Sequence, residues 1–377
     1  MSPSPAQALS NHIRAEALRL GFFKLGIAPV RPLPWAEKFD AWLDAGRNGE
    51  MHYLARQAPK RKSPGLVLQN ARSMVVLAMN FYSQPRLSDE PLKGRISRYA
   101  WGDDYHRIVG RKLERLRESI ERTEPAARTL SYVDTGPVME KVWGAHSSLG
   151  WLGKHSNLIT REQGSWFFIG TVLLDVELAC DAPEKDYCGT CARCITACPT
   201  GAIVAPYVVD ARLCISYLTI ELRGAIPRGL RPLIGNRIFG CDDCQEVCPW
   251  NRFAVEAREP GFGPRAGSHM PELQSLAAIT PREFDERFRG SPVRRARRDG
   301  FVRNVMVALG NSRSPEALPA LERASRDESA LVRAHAGWAL RQIPGESAKN
   351  VLEAARRIEA DPAVLEEMSA DFRVPDN

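Results

Sequence analysis

The chain has 377 residues, 44% of them hydrophobic and 26% charged, with a mean hydropathy of −0.30. These values exclude a disordered tail protein, a collagen-like repeat and a polytopic membrane protein, and the length suits two or three domains. Its 52 Lys and Arg against 45 Asp and Glu leave a formal charge of +7, a modest excess that suits an anionic partner without requiring one.

Residues 1–11 show neither a basic nor an apolar targeting segment. Residues 1–178 read as one mixed α/β domain. Leu9, Ile13, Ala17 and Leu20 share a helical face closed by Gly21. Strands are expected at Phe22–Ala28 and at Ser73–Phe81, the latter a short apolar run of buried type. Tyr105–Arg122 reads as a charged helix with Ile108, Leu113 and Leu116 on its apolar side. Thr129–Asp134 reads as a strand that delivers Asp134 into a Gly-Pro turn. Trp166–Val176 is the last strand of this domain, rich in aromatic and β-branched residues. Gly170, Thr171 and Asp175 interrupt it, so it falls far short of the roughly 18 apolar residues that span a bilayer. A cytoplasmic, reducing location with no membrane partner is expected.

Residues 179–255 hold all nine cysteines. A chain of this length does not need disulfide staples, and bunched cysteines point to metal. Cys188-x2-Cys191-x2-Cys194-x3-Cys198-Pro199 is the bacterial ferredoxin run, whose fourth cysteine serves the other cluster in two-cluster ferredoxins. Zinc sites also use paired cysteines, but rarely four at this spacing with a trailing proline. The second run, Cys241-x2-Cys244-x3-Cys248-Pro249, lacks its first cysteine, because Ile238 stands there. Cys214 is the one cysteine between the runs. Eight ligands then form two [4Fe-4S] sets: Cys188, Cys191, Cys194 and Cys248, and Cys198, Cys214, Cys241 and Cys244. Cys180 is left over, expected as a small buried side chain.

Residues 256–377 form a basic linker followed by an internal repeat. Val302-Arg303 recurs as Val332-Arg333, Ala308-Leu309 as Ala339-Leu340, and Leu321-Glu322 as Leu352-Glu353. A period near 31 residues marks helical hairpins of HEAT type, the alternative being two unrelated amphipathic helices. The fold class is therefore α+β and multidomain: a mixed α/β domain, a two-cluster ferredoxin-like domain and all-α repeats.

Several motifs in order along the chain carry a resemblance. They are Arg98-Tyr99-Ala100-Trp101-Gly102 with Asp104-Tyr105-His106, Val133-Asp134-Thr135-Gly136-Pro137, the ferredoxin run with Thr200-Gly201-Ala202, Cys214-Ile215-Ser216-Tyr217-Leu218-Thr219, and Gly240-Cys241-Asp242 with Cys244-Gln245. With the terminal repeats, the chain resembles the epoxyqueuosine reductases, which complete queuosine in bacterial tRNA. The resemblance implies a base-off cobalamin in the N-terminal domain, two [4Fe-4S] clusters, an external electron donor and a tRNA anticodon arm as substrate. It makes Asp134 the proton donor, the alternative being a turn-forming Asp. It implies cobalamin contacts at Arg61, Ser97, Asp134, Leu158, Ile169, Ser216, Cys241 and Asp242, although Arg61 also fits a solvated basic loop. Asp104-x-His106 with Gly110 departs by one residue from the Asp-x-His-x-x-Gly cobalamin motif, which argues against His106 as an axial ligand.

Removing an epoxide oxygen as water takes two electrons and two protons. Clusters deliver electrons singly, a corrin cobalt can act with a pair, and the protein supplies position and protons. Between Arg282 and Arg303, eight arginines face four acids. Arg294, Arg295, Arg297 and Arg298 are the expected grip on RNA phosphates, a solvated linker being the alternative. A corrinoid reductive dehalogenase and a non-catalytic electron carrier are the competing functions. The first typically carries an export signal and no basic repeat tail, and the second needs no large N-terminal domain. The chain is expected to act as a monomer.

Overall fold

The computed structural model describes residues 3–84 and 90–369. The chain divides into two compact units, each discontinuous in sequence. Met1–Gln84, Gly102–Asp210 and Asp243–Gly263 make the first; Pro85–Trp101, Ala211–Asp242 and Pro264–Asn377 make the second.

The first unit is built on a four-stranded antiparallel sheet in the order Lys24–Pro29, Ser73–Asn80, Phe167–Leu174, Thr129–Tyr132. Ser73–Asn80 suits a central place because it is apolar from Met74 to Met79, and Met74 to Ala78 are fully buried. Val75 pairs with Ile27 on one side and Val172 on the other. The helix Pro5–Arg19 buries Leu9, Ile13 and Ala17, the face expected from their spacing, and Ser4 caps it by accepting from the Gln7 N–H. The helix Tyr105–Thr123 buries Ile108, Leu113, Leu116 and Ile120. On the sheet's other side, Val138, Trp143, Leu149 and Leu158 pack with Met74, Val76 and Phe167.

The strand expected to reach Asp134 stops at Tyr132, and the chain turns at once. Gly136 explains the turn: a Cβ there would sit 2.2 Å from Cγ of the Tyr132 ring, over which the chain folds back. Asp134 itself lies at φ 60°, in the left-handed region that Asp and Asn tolerate better than most residues.

The second unit is dominated by helices. Arg297–Ser312, Leu318–Ala324, Ala330–Gln342, Glu346–Ile358 and Pro362–Ser369 form the repeats. The repeated residues Val302 and Val332, Ala308 and Ala339, and Leu309 and Leu340 are all buried, as packed hairpins require. The stretch read as a basic linker is ordered as well: Pro281–Arg287 is a helix with a Thr280/Glu283 capping box, and Pro292–Ala296 is one of 3-10 type. No helix among the described residues is long and apolar enough to cross a membrane.

Candidate functional site

Four cysteines of the first unit, Cys188, Cys191, Cys194 and Cys248, line one cavity of about 240 Å³. Tight turns aim them. The Cys191 N–H donates to the Cys188 carbonyl at 3.1 Å, and the short helix Arg193–Thr196 presents Cys194. Lys154, Arg193 and Arg252 add three cations to the lining, which contains no carboxylate. The Lys154 ammonium donates to the carbonyls of Gly189 at 2.7 Å and Cys191 at 2.9 Å, bracing the loop. Burial pushes the Cys188, Cys194 and Cys248 thiols up, and at Cys248 the other three cysteines of the set reinforce it. Thiolates that repel one another in a half-buried cavity are relieved by a cationic core, so this donor set fits an iron–sulfur cluster.

His155 closes the cavity wall. Its Nδ1 accepts the Asn157 N–H at 3.1 Å, and its buried Nε2 has no protein partner. Burial, then the Lys141 charge, lowers its pKa to about 4, so the ring is neutral with its proton on Nε2. An unmet N–H donor beside four thiols suits a cluster sulfide.

Of the other cysteine set, Cys198 and Cys244 belong to the first unit, Cys214 and Cys241 to the second. The Cys198 sulfur accepts the Ala202 N–H at 3.2 Å, a peptide contact of the sort that steadies a ligating thiolate. Cys214 caps the helix Ile215–Ile220, and Cys241 follows the strand Arg237–Phe239. These elements are clamped: Thr219 Oγ1 accepts the Gly240 N–H at 2.9 Å, while Asn304 donates to the Thr219 carbonyl at 2.8 Å and the Ile238 carbonyl at 2.9 Å. Gly240 is left-handed at φ 70°, and a Cβ on it would lie 2.5 Å from Cβ of Ser97. Cys180 corrects an expectation. It is exposed, lying past the end of the strand Phe167–Leu174 and two residues after the buried Leu178.

A second constellation in the first unit surrounds Asp134. The Tyr105 hydroxyl donates to Asp134 Oδ2 at 2.7 Å. Tyr105 is buried, and its ring stacks on Phe168 at 4.2 Å and 3°, a contact worth roughly 0.5–1.5 kcal/mol. The Asp134 side chain is 70% exposed. Glu140 heads the helix Glu140–His146, with its Oε1 buried and without a protein partner. Burial, reinforced by the Asp134 carboxylate, pushes it up to about 7. Arg61 also acts on Glu140, lowering its pKa. Its Nη1 donates to the Val138 carbonyl at 3.0 Å, and its Nε is buried without a protein partner.

The fold therefore brings Arg61 and Asp134 into one neighbourhood. Leu158 is a core residue, 2% exposed, whereas Ile169 sits partly buried at the edge of the same apolar cluster. In the second unit, Ser97 Oγ donates to Asp242 Oδ1 at 2.5 Å, and Oδ2 accepts the Arg98 N–H at 2.8 Å. Ser216 lies half-buried on the helix that Cys214 caps. Glu140 was not expected from sequence, although an acid just before Val142 and Trp143 on a short helix was its available signal. Tyr105 and His106 stood in plain view within the Asp104-Tyr105-His106 motif.

The expected RNA-binding arginines differ among themselves. Arg294 and Arg295 are about half exposed and paired with Asp285 and Glu221, and Arg297 is exposed. Arg298 is set apart from them: its side chain is 13% exposed and holds Asp327 with both Nη atoms at 2.6 and 2.5 Å.

Comparison with known proteins matches residues 61–135 to the family described as epoxyqueuosine reductase QueG, DUF1730. Residues 187–251 match a 4Fe-4S double cluster binding domain, and 301–369 match HEAT repeats. The epoxyqueuosine reductase of Escherichia coli is 41% identical over 344 residues, covering 90% of this chain and 91% of that one. The Xanthomonas campestris enzyme is 42% identical over 346 residues, covering 90% and 97%. A crystal structure of epoxyqueuosine reductase with an epoxyqueuosine-modified tRNA-Tyr stem loop superposes with a TM-score of 0.89 at 30% identity, over 96% of this chain and 97% of that one. A Bacillus subtilis epoxyqueuosine reductase, seen with its aspartate-bearing catalytic loop swung out of the active site, gives 0.89 at 29% identity over the same shares. With such identity across nine-tenths of its length and a double-cluster domain within it, the chain is an oxidoreductase that belongs to the epoxyqueuosine reductase family.

Proposed function

We propose that this chain reduces epoxyqueuosine to queuosine at the anticodon wobble position of tRNA, with Asp134 giving the proton that lets the epoxide oxygen leave. The observation that carries this is Asp134 itself, a carboxyl set out on a left-handed turn, 70% exposed, with one oxygen held by a buried tyrosine. An alkoxide is a poor leaving species, and a positioned acid lowers the cost of releasing it.

Residues 1–178 are assigned to cofactor and catalysis, 179–255 to electron transfer and 256–377 to RNA. The ligand sets are Cys188, Cys191, Cys194 and Cys248 for one cluster and Cys198, Cys214, Cys241 and Cys244 for the other. Cobalamin, when bound, supplies the two-electron reactivity that one-electron clusters lack. Its rim of amide side chains offers both donors and acceptors, and the chain has unmet groups of both kinds beside Asp134: Arg61 Nε and Glu140 Oε1. Arg61, Leu158 and Ile169 are assigned to the cofactor from the first unit, and Ser97, Ser216, Cys241 and Asp242 from the second. Arg294, Arg295 and Arg297 are assigned to RNA phosphates, and Arg298, paired with Asp327, to holding the segment in place.

The test is anaerobic turnover of tRNA carrying epoxyqueuosine by cluster-loaded protein, with and without added cobalamin. Queuosine formation only when cobalamin is present supports the reading. Equal rates without it remove cobalamin, and no product in either arm removes the substrate.

A further inference from the structure

An acid that gives up its proton each cycle must be recharged, and Asp134 sits beside groups arranged to do this. Asp104 caps the helix Tyr105–Thr123: its Oδ1 accepts the His106 backbone N–H at 3.0 Å. The same Oδ1 lies 2.7 Å from His106 Nδ1, a second contact that a cap alone does not need. With Nδ1–H held by Asp104, Nε2 is the nitrogen free to take up and release a proton. That Nε2 stands 4.0 Å from Asp134 Oδ2.

Tyr105 fixes the other half of the geometry. Its hydroxyl binds the same Oδ2, and its ring lies between the imidazole at 4.0 Å and Phe168 at 4.2 Å. Asp134 Oδ1 makes no hydrogen bond among the described residues. The carboxyl thus has two unlike oxygens, one turned to proton-handling groups and one open.

Resting on the reductase reading above, we infer that Asp104 and His106 form a proton relay that recharges Asp134 between turnovers. Asp134 first gives its proton to the oxygen leaving the substrate and becomes a carboxylate. The His106 imidazolium then passes its Nε2 proton to Oδ2, and the neutral ring takes a proton from solvent, which reaches its 34% exposed side chain. The Nδ1 proton stays on the ring throughout, and no electron moves. A side-chain rotation of Asp134 closes the 4.0 Å gap to hydrogen-bonding distance. The arrangement follows the logic of an aspartate-oriented histidine serving a third group, with a carboxyl in place of a hydroxyl. Asp104 and Tyr105 are positioning residues.

The experiment uses full-length, cofactor-loaded protein with tRNA carrying epoxyqueuosine and excess chemical reductant. His106→Ala is expected to lower kcat about tenfold or more at unchanged KM for tRNA, and added imidazole to restore the rate in a concentration-dependent way. His106→Gln keeps bulk and a bond to Asp104 but cannot take up and release a proton, and should be as slow as His106→Ala. Asp104→Asn keeps the helix cap and should also lower kcat. Imidazole should not rescue Asp134→Asn. In cofactor-free protein, 15N NMR should show the neutral His106 ring protonated at Nδ1. Wild-type rates in both His106 variants, loss of rate that imidazole leaves untouched, or a ring protonated at Nε2 would each overturn the relay and leave the reductase reading standing. Wild-type protein unable to reduce the tRNA overturns both.

Discussion

The cysteine cavity and the Asp134 pocket lie in the same unit and are built in opposite ways. The cavity takes three of its four sulfurs from one seven-residue loop, Cys188–Cys194, so its ligands are fixed by local turns. The pocket draws Arg61, Asp104, Tyr105, His106, Asp134 and Glu140 from four separate stretches, and none is meaningful without the sheet and helices that gather them. A short loop writes its chemistry into spacing. A site assembled at long range writes it into packing, where a left-handed turn and a buried acid with one unmet oxygen are the marks.

The contrast can be broken most severely at the cavity. Cys188→Ser should remove one cluster, taking iron in reconstituted protein from about eight per chain toward about four and abolishing turnover. Cys180→Ser should leave both untouched, as an exposed thiol outside the set. Iron unchanged in Cys188→Ser would dissolve the cavity assignment.

At the pocket the largest effect is kinetic. Asp134→Asn keeps the shape and loses the proton, so kcat should fall by about 10² or more while tRNA affinity stays the same. A variant that turns over at the wild-type rate removes Asp134 from the chemistry.

Glu140 distinguishes the two regions through stability. Its folded pKa of about 7 lies above the ordinary 4.5, so the folded state holds more protons than the unfolded one between those values. Stability attributable to Glu140 is therefore intact below pH 4.5 and is lost as pH rises to about 7. Glu140→Gln should escape that loss and be more stable than wild type by about 3 kcal/mol at pH 8, with a flatter pH profile in denaturant melts. Parallel profiles for the two proteins would show that Glu140 ionises normally.

The smallest effects belong to the arginines. Arg294, Arg295 and Arg297 changed together to Ala should weaken tRNA binding and flatten its salt dependence without altering the melting temperature. Arg298→Ala should cost about 2 kcal/mol of stability, since it leaves the half-buried Asp327 carboxyl with only the Ser329 N–H and the Arg333 charge to offset burial. Reversed outcomes would exchange their roles.

Sequence carried the periodic elements well. The helix face of Leu9, Ile13 and Ala17, the buried run Met74–Ala78 and the 31-residue echo of Val302 at Val332 all stand where their spacing put them, because burial repeats with the period of the backbone. It failed where position depends on a partner far along the chain. Nothing near Arg298 announces Asp327, 29 residues away, and nothing around Cys180 announces that the chain has already left the sheet. The turn after Tyr132 was anticipated from Gly136-Pro137, but its tightness rests on a ring that only the folded chain places there.

Asn304 reaches from the first repeat helix to the carbonyls of Thr219 and Ile238, on the two elements that lead to Cys214 and Cys241. In sequence the repeats look like a detachable annex appended to a redox protein. In the fold they are a foundation: a chain cut before Arg297 loses the clamp under two of its proposed iron ligands. Truncation before Arg297 should therefore register as bleached colour, and the chain cannot be divided into a working reductase and a dispensable tail of repeats.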